Sequence, residues 1–267
     1  MTSTPATRAV VFTLLVHALA AVAAGPAAEP PASPDPRRSG FSFMTPAVQA
    51  MQRDDAQNPA MLWVNDGEAL WNAKAGTSDK ACAACHGAAP ASMRGVAARY
   101  PAFDAALKRP VDLRQRIQQC RVGQQKAAPW ADESADLLNV EGYVALQSRG
   151  AAIAPPADAR LQAFTERGAS LYRARIGQLD FSCAQCHDDH AGQRLGGSVI
   201  PQAHPTGYPL YRLEWQGLGS LQRRLRNCMA GVRAEPFAYG SSELVALELY
   251  LMQRAAGMAM ESPAVRP

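Results

Sequence analysis

Apolar positions recur at helical spacing in several segments of the chain, and these segments match each other in pairs. DGEALWNAK (66–74) and RGASLYRAR (167–175) share a glycine, a leucine and an aromatic residue at an offset of 101 residues. ESADLLNVEGYVALQSRG (133–150) and GSSELVALELYLMQRAAG (240–257) each open with serine and an acidic residue, as capped helices do. Gly142 weakens the helical pattern in the first of these. The pairing indicates a chain built twice from the same helical unit.

The duplication predicts a mainly α fold made of two similar domains, with few or no strands. Strand-like alternation is weak throughout, and 267 residues are enough for two such domains. We expect the first domain at 48–150 and the second at 161–267. The linker at 151–160 contains Pro155 and Pro156, which stop any helix.

The N-terminal segment is typical of an exported protein. Residues 1–24 combine Arg8 with an apolar run and an alanine-rich end, which predicts a signal peptide and a periplasmic location. The run is short for a membrane span, so we expect no stable membrane anchor, with an uncleaved anchor as the alternative. Residues 25–47 are rich in Pro, Ala and Ser and predict a flexible tether.

Charge composition excludes one class of partner and leaves another open. A net charge of +4 gives no reason to expect nucleic acid as a partner. Only four of the 27 cationic residues are lysine. A high-GC genome produces that bias without any functional cause, but the arginine fork also suits oxyanions.

Two short motifs, CAACH (82–86) and CAQCH (183–187), occupy matching places in the two copies. Cysteines three residues apart on one helical turn present both sulfurs to the same side. In an exported chain these sulfurs can bond to the vinyl groups of a haem, and the next histidine then binds the iron. A redox CxxC, half of a zinc site and chance are the alternatives, and the duplication favours two covalently bound haem c groups. The predicted residues are Cys82, Cys85 and His86 for haem 1 and Cys183, Cys186 and His187 for haem 2.

Two further cysteines, Cys120 and Cys228, each end an arginine-bearing helical segment at equivalent places in the copies. Repeat symmetry therefore predicts that they are the distal iron ligands. A disulfide between them and a pair of buried, inert thiols are the alternatives. The rival iron ligands are Met93, Met229, His190 and His204, of which His190 is expected on the surface.

Arginines crowd the second of these cysteines. Thiolates are favoured by nearby cations, so this crowding indicates an anionic substrate or partner, whereas a solvated helix face is the simpler interpretation. The arginines are Arg223, Arg224, Arg226 and Arg233, with Arg212 upstream.

The stretch from GQRLGGSVIPQAHPTGYPLYRLEWQG to SSELVALELYLM (192–252) closely resembles SoxA, the cytochrome subunit of the bacterial thiosulfate-oxidising system. The first half matches the family through CAACH, RIQQCRVGQQ and VALQSRG. The resemblance implies a two-domain c-type cytochrome that forms a heterodimer with a SoxX-like monohaem cytochrome. It implies an L-cysteine S-thiosulfotransferase activity, in which thiosulfate is oxidatively joined to a cysteine of SoxY in the SoxYZ carrier. Two electrons would then leave to a c-type cytochrome.

The resemblance also assigns roles by position. It implies that Cys228 is a ligand of haem 2 and the active-site residue, found as a cysteine persulfide, that Arg224 binds substrate, and that Cys120 is the distal ligand of haem 1. Whether the active site is shared with the SoxX haem stays open. The competing functions are a dihaem electron carrier without sulfur transfer and a thiosulfate dehydrogenase that forms tetrathionate.

Overall fold

The computed structural model describes residues 1–2 and 35–267. The predicted signal peptide, beyond its first two residues, and the first part of the predicted tether lie outside the described residues. No helix among the described residues combines the length and the apolar character needed to cross a bilayer.

Helices dominate residues 35–267, which confirms the predicted mainly α class. The α-helices in this range are α1 (Pro46–Arg53), α2 (Ala60–Asn72), α3 (Cys82–His86), α4 (Ala89–Ser92), α5 (Leu113–Cys120), α6 (Ala135–Leu146), α7 (Gln162–Arg173), α8 (Leu221–Gly231) and α9 (Ser242–Arg254). Short 3-10 turns lie at Gly40–Phe43, Ala97–Arg99 and Ala159–Leu161, and π-helical turns at Arg121–Gln125 and Gln185–Asp189. The strands are β1 (Ala102–Asp104), β2 (Arg109–Val111), β3 (Arg194–Leu195), β4 (Ser198–Val199), β5 (Leu210–Arg212), β6 (Gly217–Gly219) and β7 (Ala264–Arg266).

Each copy is organised around two crossing helices that touch backbone to backbone. In the first copy Gly67 of α2 faces the carbonyl of Asn139 on α6, and a Cβ there would lie 2.0 Å from that oxygen. In the second copy Gly168 of α7 faces the carbonyl of Ala246 on α9 at a corresponding 2.1 Å. These pairs are 101 and 107 residues apart, which are the offsets of the sequence repeat. The predicted duplication is therefore present in the three-dimensional contacts.

The loop before each CxxCH motif is also fixed in the same way in both copies. Gly76 and Gly177 have φ of +64° and +72°, a region that glycine enters without strain. A Cβ on these residues would lie 2.1 Å from the carbonyl oxygen of Gln125 and 2.2 Å from that of Val232. Each motif is thus held against the segment that follows the remaining cysteine of its own copy.

A hairpin and a capped helix precede each of these cysteines. The β1–β2 and β5–β6 hairpins lie 108 residues apart. Asp112 then caps α5 by accepting from Gln115 N at 2.7 Å, and Ser220 caps α8 by accepting from Arg223 N at 3.1 Å. Cys120 is the last residue of α5, as predicted, but α8 continues past its cysteine to Gly231, so that cysteine lies inside its helix.

The end of the second copy packs onto the first, which differs from the predicted boundary between two self-contained domains. Strand β7 pairs in parallel with β5, and Asn58 of the first copy donates to the carbonyl of Pro263 at 3.1 Å. Met252 and Met260 are buried in the same apolar cluster as Trp71. The hydrophobic core therefore extends across both copies.

The second half of the predicted tether is folded. Arg37 donates to the carbonyls of Arg254 and Ala256 at 3.0 and 2.8 Å, and Thr45 caps α1. Proline and serine content suggested flexibility, but these long-range bonds to the end of α9 hold the segment in place.

Candidate functional site

In the first copy, a cavity of about 230 Å³ brings together the four predicted haem 1 residues. Its walls are otherwise largely apolar, and they include Met93, one of the rival ligands. The predicted residues on its lining are Cys82, Cys85, His86 and Cys120.

The histidine of the first motif is held by an aromatic neighbour. The ring of Trp71, which is buried, lies 5.7 Å from that of His86 by centroids. Its Nε1 donates to the carbonyl of Gly87 at 3.0 Å, just after the motif. The side chain of Trp71 therefore fixes the end of α3 from which His86 projects.

The thiols at the first site favour the protonated state. Burial raises the pKa of Cys82, and the nearby Cys120 acts in the same direction. Burial also raises the pKa of Cys120, against the opposing charge of Arg116. That charge is itself compensated, because Arg116 pairs with Asp104 at 3.1 Å.

In the second copy, the histidine of the motif is oriented by the backbone. His187 Nδ1 lies 2.7 Å from the carbonyl oxygen of Pro201. A carbonyl can only accept, so Nδ1 carries the proton, and the lone pair of Nε2 is left available to a metal. Among the described residues, this is the hydrogen bond expected of a histidine that ligates iron through Nε2.

Cys228 lies beside this histidine in an environment that favours its thiolate. Burial acts to raise the pKa of Cys228, but the hydrogen bond with His187 and the charges of Arg224 and Arg212 outweigh it and lower the pKa. Burial, together with the nearby Cys228, raises the pKa of Cys183 to about 11. The structure thus places three of the four predicted haem 2 positions within mutual electrostatic reach, and Cys186 follows on the same turn.

The arginine cluster predicted around this cysteine separates into two groups. The guanidinium of Arg223 stacks 4.1 Å from the ring centroid of Trp215, and that of Arg226 stacks 4.5 Å from Tyr239. These contacts are structural. Arg224 and Arg212 are the members whose charges act on the thiol of Cys228.

Sequence reasoning gave no role to Tyr208, which belongs to this group. Its pKa is raised by burial, with Arg224 opposing and Cys228 reinforcing the shift. A signal was present in the sequence, because Tyr-Pro occurs at 100–101 and again at 208–209, and both peptide bonds are cis.

The rival ligands lie elsewhere. His190 is exposed, as expected, and His204 Nδ1 lies 3.0 Å from the carbonyl oxygen of Arg38. Met229 is buried in the apolar cluster of the second copy. All six cysteines fall within residues 35–267, and none of them forms a disulfide there.

The donor set of each copy fits a covalently attached haem c. Both copies present two thiols on one turn, an adjacent imidazole and a further thiol in the same neighbourhood. No three His, Cys, Asp or Glu side chains in the described part of the chain are grouped closely enough to hold a bare metal ion.

Comparison with known proteins agrees with this arrangement. The family model described as the cytochrome c domain of SoxA/TsdA matches residues 66–153 and again 167–260. The L-cysteine S-thiosulfotransferase subunit SoxA of Pseudaminobacter salicylatoxidans is 38% identical over 242 residues, which cover 90% of this chain and 85% of that protein. The subunit of the same name from Paracoccus pantotrophus is 36% identical over 85% of this chain and 78% of its own length.

A solved structure shares the fold as well. A chain in the crystal structure of SoxXA from P. pantotrophus superimposes with a TM-score of 0.83 at 33% identity, covering 86% of this chain and 87% of that one. The resemblance inferred from the sequence is thereby confirmed. This chain belongs to the SoxA family, and each of its two copies is a cytochrome c domain.

Proposed function

We propose that this chain is the SoxA subunit of an L-cysteine S-thiosulfotransferase, which joins thiosulfate to a cysteine of the SoxYZ carrier. The observation that carries the proposal is Cys228 in the second copy, whose pKa is lowered by His187 and two arginines despite its burial. A cysteine that served only to fill a core would be a neutral thiol, whereas nucleophiles and metal ligands are thiolates. The relatives from P. salicylatoxidans and P. pantotrophus carry the name of this activity.

The proposed reaction is an oxidation. The carrier thiol loses its proton, and a bond forms between its sulfur and the outer sulfur of thiosulfate. Two electrons leave, and the product is a protein cysteine S-thiosulfonate. A c-type cytochrome is the proposed final acceptor.

We propose two haem c groups, one in each copy, as the electron-accepting centres of this reaction. Their covalent attachment would use the paired thiols of each motif, and the histidines would be the proximal ligands. The proposed attachment and axial residues are Cys82, Cys85, His86 and Cys120 in the first copy and Cys183, Cys186, His187 and Cys228 in the second.

Two side chains of α8 would act on the substrate. Arg224 lies one helical turn before Cys228, and its guanidinium can hold the sulfonate end of thiosulfate by charge-assisted hydrogen bonds. Cys228 would then carry sulfur during the reaction, and a persulfide is its proposed form. The thiol of Cys120 has no such environment, because burial raises its pKa.

The proposed partners follow from the family. A chain of SoxXA is the structural match, so we propose a heterodimer with a SoxX-like monohaem cytochrome. Export by the signal peptide at 1–24 would place the complex in the periplasm, where haem attachment to cysteine pairs takes place.

The test combines the haem-loaded chain, a SoxX-like subunit, SoxYZ, thiosulfate and oxidised cytochrome c. We expect cytochrome c reduction together with a carrier peptide heavier by one bound thiosulfate group. Cys228→Ala and Arg224→Ala should abolish both while the first copy keeps its haem. Free tetrathionate with an unmodified carrier would support a thiosulfate dehydrogenase. An undiminished rate in Cys228→Ala would leave only an electron carrier.

A further inference from the structure

The two copies differ by a reversal of charge beside their distal cysteines. The hairpins and the helices that follow them superimpose in sequence at an offset of 108 residues. At this offset Arg116 of the first copy corresponds to Arg224 of the second. Asp104, at the end of β1, corresponds to Arg212, at the end of β5.

In the first copy these two positions form a closed ion pair. Asp104 Oδ2 lies 3.1 Å from Arg116 Nη2, and the carboxylate side chain is only 7% exposed. The same carboxylate accepts from Gln119 Nε2 at 3.0 Å and from the backbone N of Ala106 and Leu107 at 2.9 Å. The arginine next to Cys120 is therefore neutralised, and its partner has no capacity for a further ligand.

In the second copy the same frame holds two arginines. The side chain of Arg212 is 14% exposed, and its Nε is buried without an acceptor. Its one ion pair among the described residues is with Glu214 at 3.0 Å, and that carboxylate is 65% exposed. Arg224 makes no ion pair within residues 35–267. Two guanidiniums thus stand where the first copy has one guanidinium and its counter-ion.

Buried cations of the same sign repel each other unless an anion lies between them. A dianion with several oxygens satisfies both, since guanidinium groups bind such oxygens by charge-assisted hydrogen bonds. The free Nε of Arg212 supplies a donor for this purpose, and stacking 5.1 Å from Trp215 restricts where the guanidinium can go.

We propose that Arg212 is a second anion-binding residue, which holds the sulfonate end of thiosulfate together with Arg224 beside Cys228. The identity of the anion rests on the proposed function. The two-arginine dianion site does not, because it follows from the difference between the copies. The charge reversal would also explain why only one of the two copies binds substrate.

The decisive variant is Arg212→Asp, which gives the second copy the ion pair of the first. We expect the haem-loaded complex with its SoxX-like subunit to bind thiosulfate and sulfate in calorimetric titrations. Arg212→Asp should weaken both by at least about 100-fold, because it removes one donor and occupies the other. Arg212→Gln, which removes only the charge, should weaken them by about 10-fold or more, and Arg212→Lys should retain part of the loss.

Arg167→Gln is the matched control, because it removes one positive charge from an exposed surface pair with Glu243. This variant should bind both anions as the unaltered chain does. Equal binding by the unaltered chain, Arg212→Asp and Arg212→Gln would overturn the proposal, as would the absence of any dianion binding. If the unaltered chain binds sulfate in an Arg212-dependent way but does not modify the carrier, the proposed function fails and the anion site stands.

Discussion

Gly168→Ala probes the helix crossing that carries the second copy. The added Cβ would lie 2.1 Å from the carbonyl oxygen of Ala246, whereas an ordinary contact needs about 3.4 Å. That oxygen belongs to the backbone of α9 and cannot rotate away as a side chain would. The two helices would therefore have to separate by more than about 1 Å, and the packing of Tyr172 against Tyr250 lies at the same crossing.

The cost follows from the stiffness of packed interiors. Forcing an extra carbon into a well-packed site costs about 1–3 kcal/mol, and a backbone obstacle puts this case at the upper end. In a chain of this size each kcal/mol moves the melting temperature by about 2–4 °C. We expect Gly168→Ala to melt about 6–12 °C lower, and Gly67→Ala in the first copy to behave alike because its contact is 2.0 Å.

Scanning calorimetry of the haem-loaded protein measures this directly. Gly142→Ala is the matched control, since it places the same methyl in α6 with Leu218 Cδ1 as its nearest atom at 3.3 Å. That side chain can yield, and the helix gains about 1 kcal/mol of propensity, so the melting temperature should stay level or rise. A fall of less than 2 °C in Gly168→Ala, or an equal fall in Gly142→Ala, would refute the reasoning.

Two further predictions concern the buried charges between the copies. Glu133 pairs with Arg114 at 2.8 Å and accepts from the N-cap Ser220 of α8, and its own φ is +58°. Glu133→Gln should lower the unfolding free energy by about 2–3 kcal/mol in urea titrations, because Arg114 keeps other carboxylates nearby; a loss below 0.5 kcal/mol would argue against this junction. Burial raises the pKa of Glu141 to about 8, so its stabilising contribution is complete below about pH 4.5 and is lost as the pH rises toward 8. Melting temperatures between pH 5 and 9 should fall less steeply for Glu141→Gln, and parallel profiles would contradict the assignment.

The features predicted correctly from the sequence depend on local spacing. Glycines at 67 and 168, the two CxxCH motifs and the capped helices repeat at fixed offsets, and each offset became a pair of equivalent contacts. Helical periodicity and capping act over a few residues, so they are legible without knowledge of the tertiary structure.

The features that were missed depend on long-range packing. Arg114 flanks Cys120 in the sequence, yet it is buried against Glu133 and Glu248, because α9 of the other copy closes over it. The pairing of β7 with β5 brings the chain end back to the first copy, and nothing within three residues of Val265 indicates that partner.

At the candidate site, the sequence predicted the cysteines but not which arginines act on them. Five arginines were candidates around the second distal cysteine, and periodicity cannot distinguish a guanidinium stacked on Trp215 from one directed at a thiol. Register provides the missing information. Alignment of the two hairpins shows that Arg212 replaces Asp104, a difference that is visible in the sequence once the offset of 108 is known.

The central claim is that sulfur from Cys228 binds the iron of the second haem. Electron paramagnetic resonance of the oxidised, haem-loaded chain tests this most directly. The account predicts low-spin ferric signals of histidine–thiolate ligation from both copies, with one of them lost in Cys228→Ala and the other lost in Cys120→Ala. A spectrum of methionine or bis-histidine ligation at the second haem, unchanged by Cys228→Ala, would contradict it.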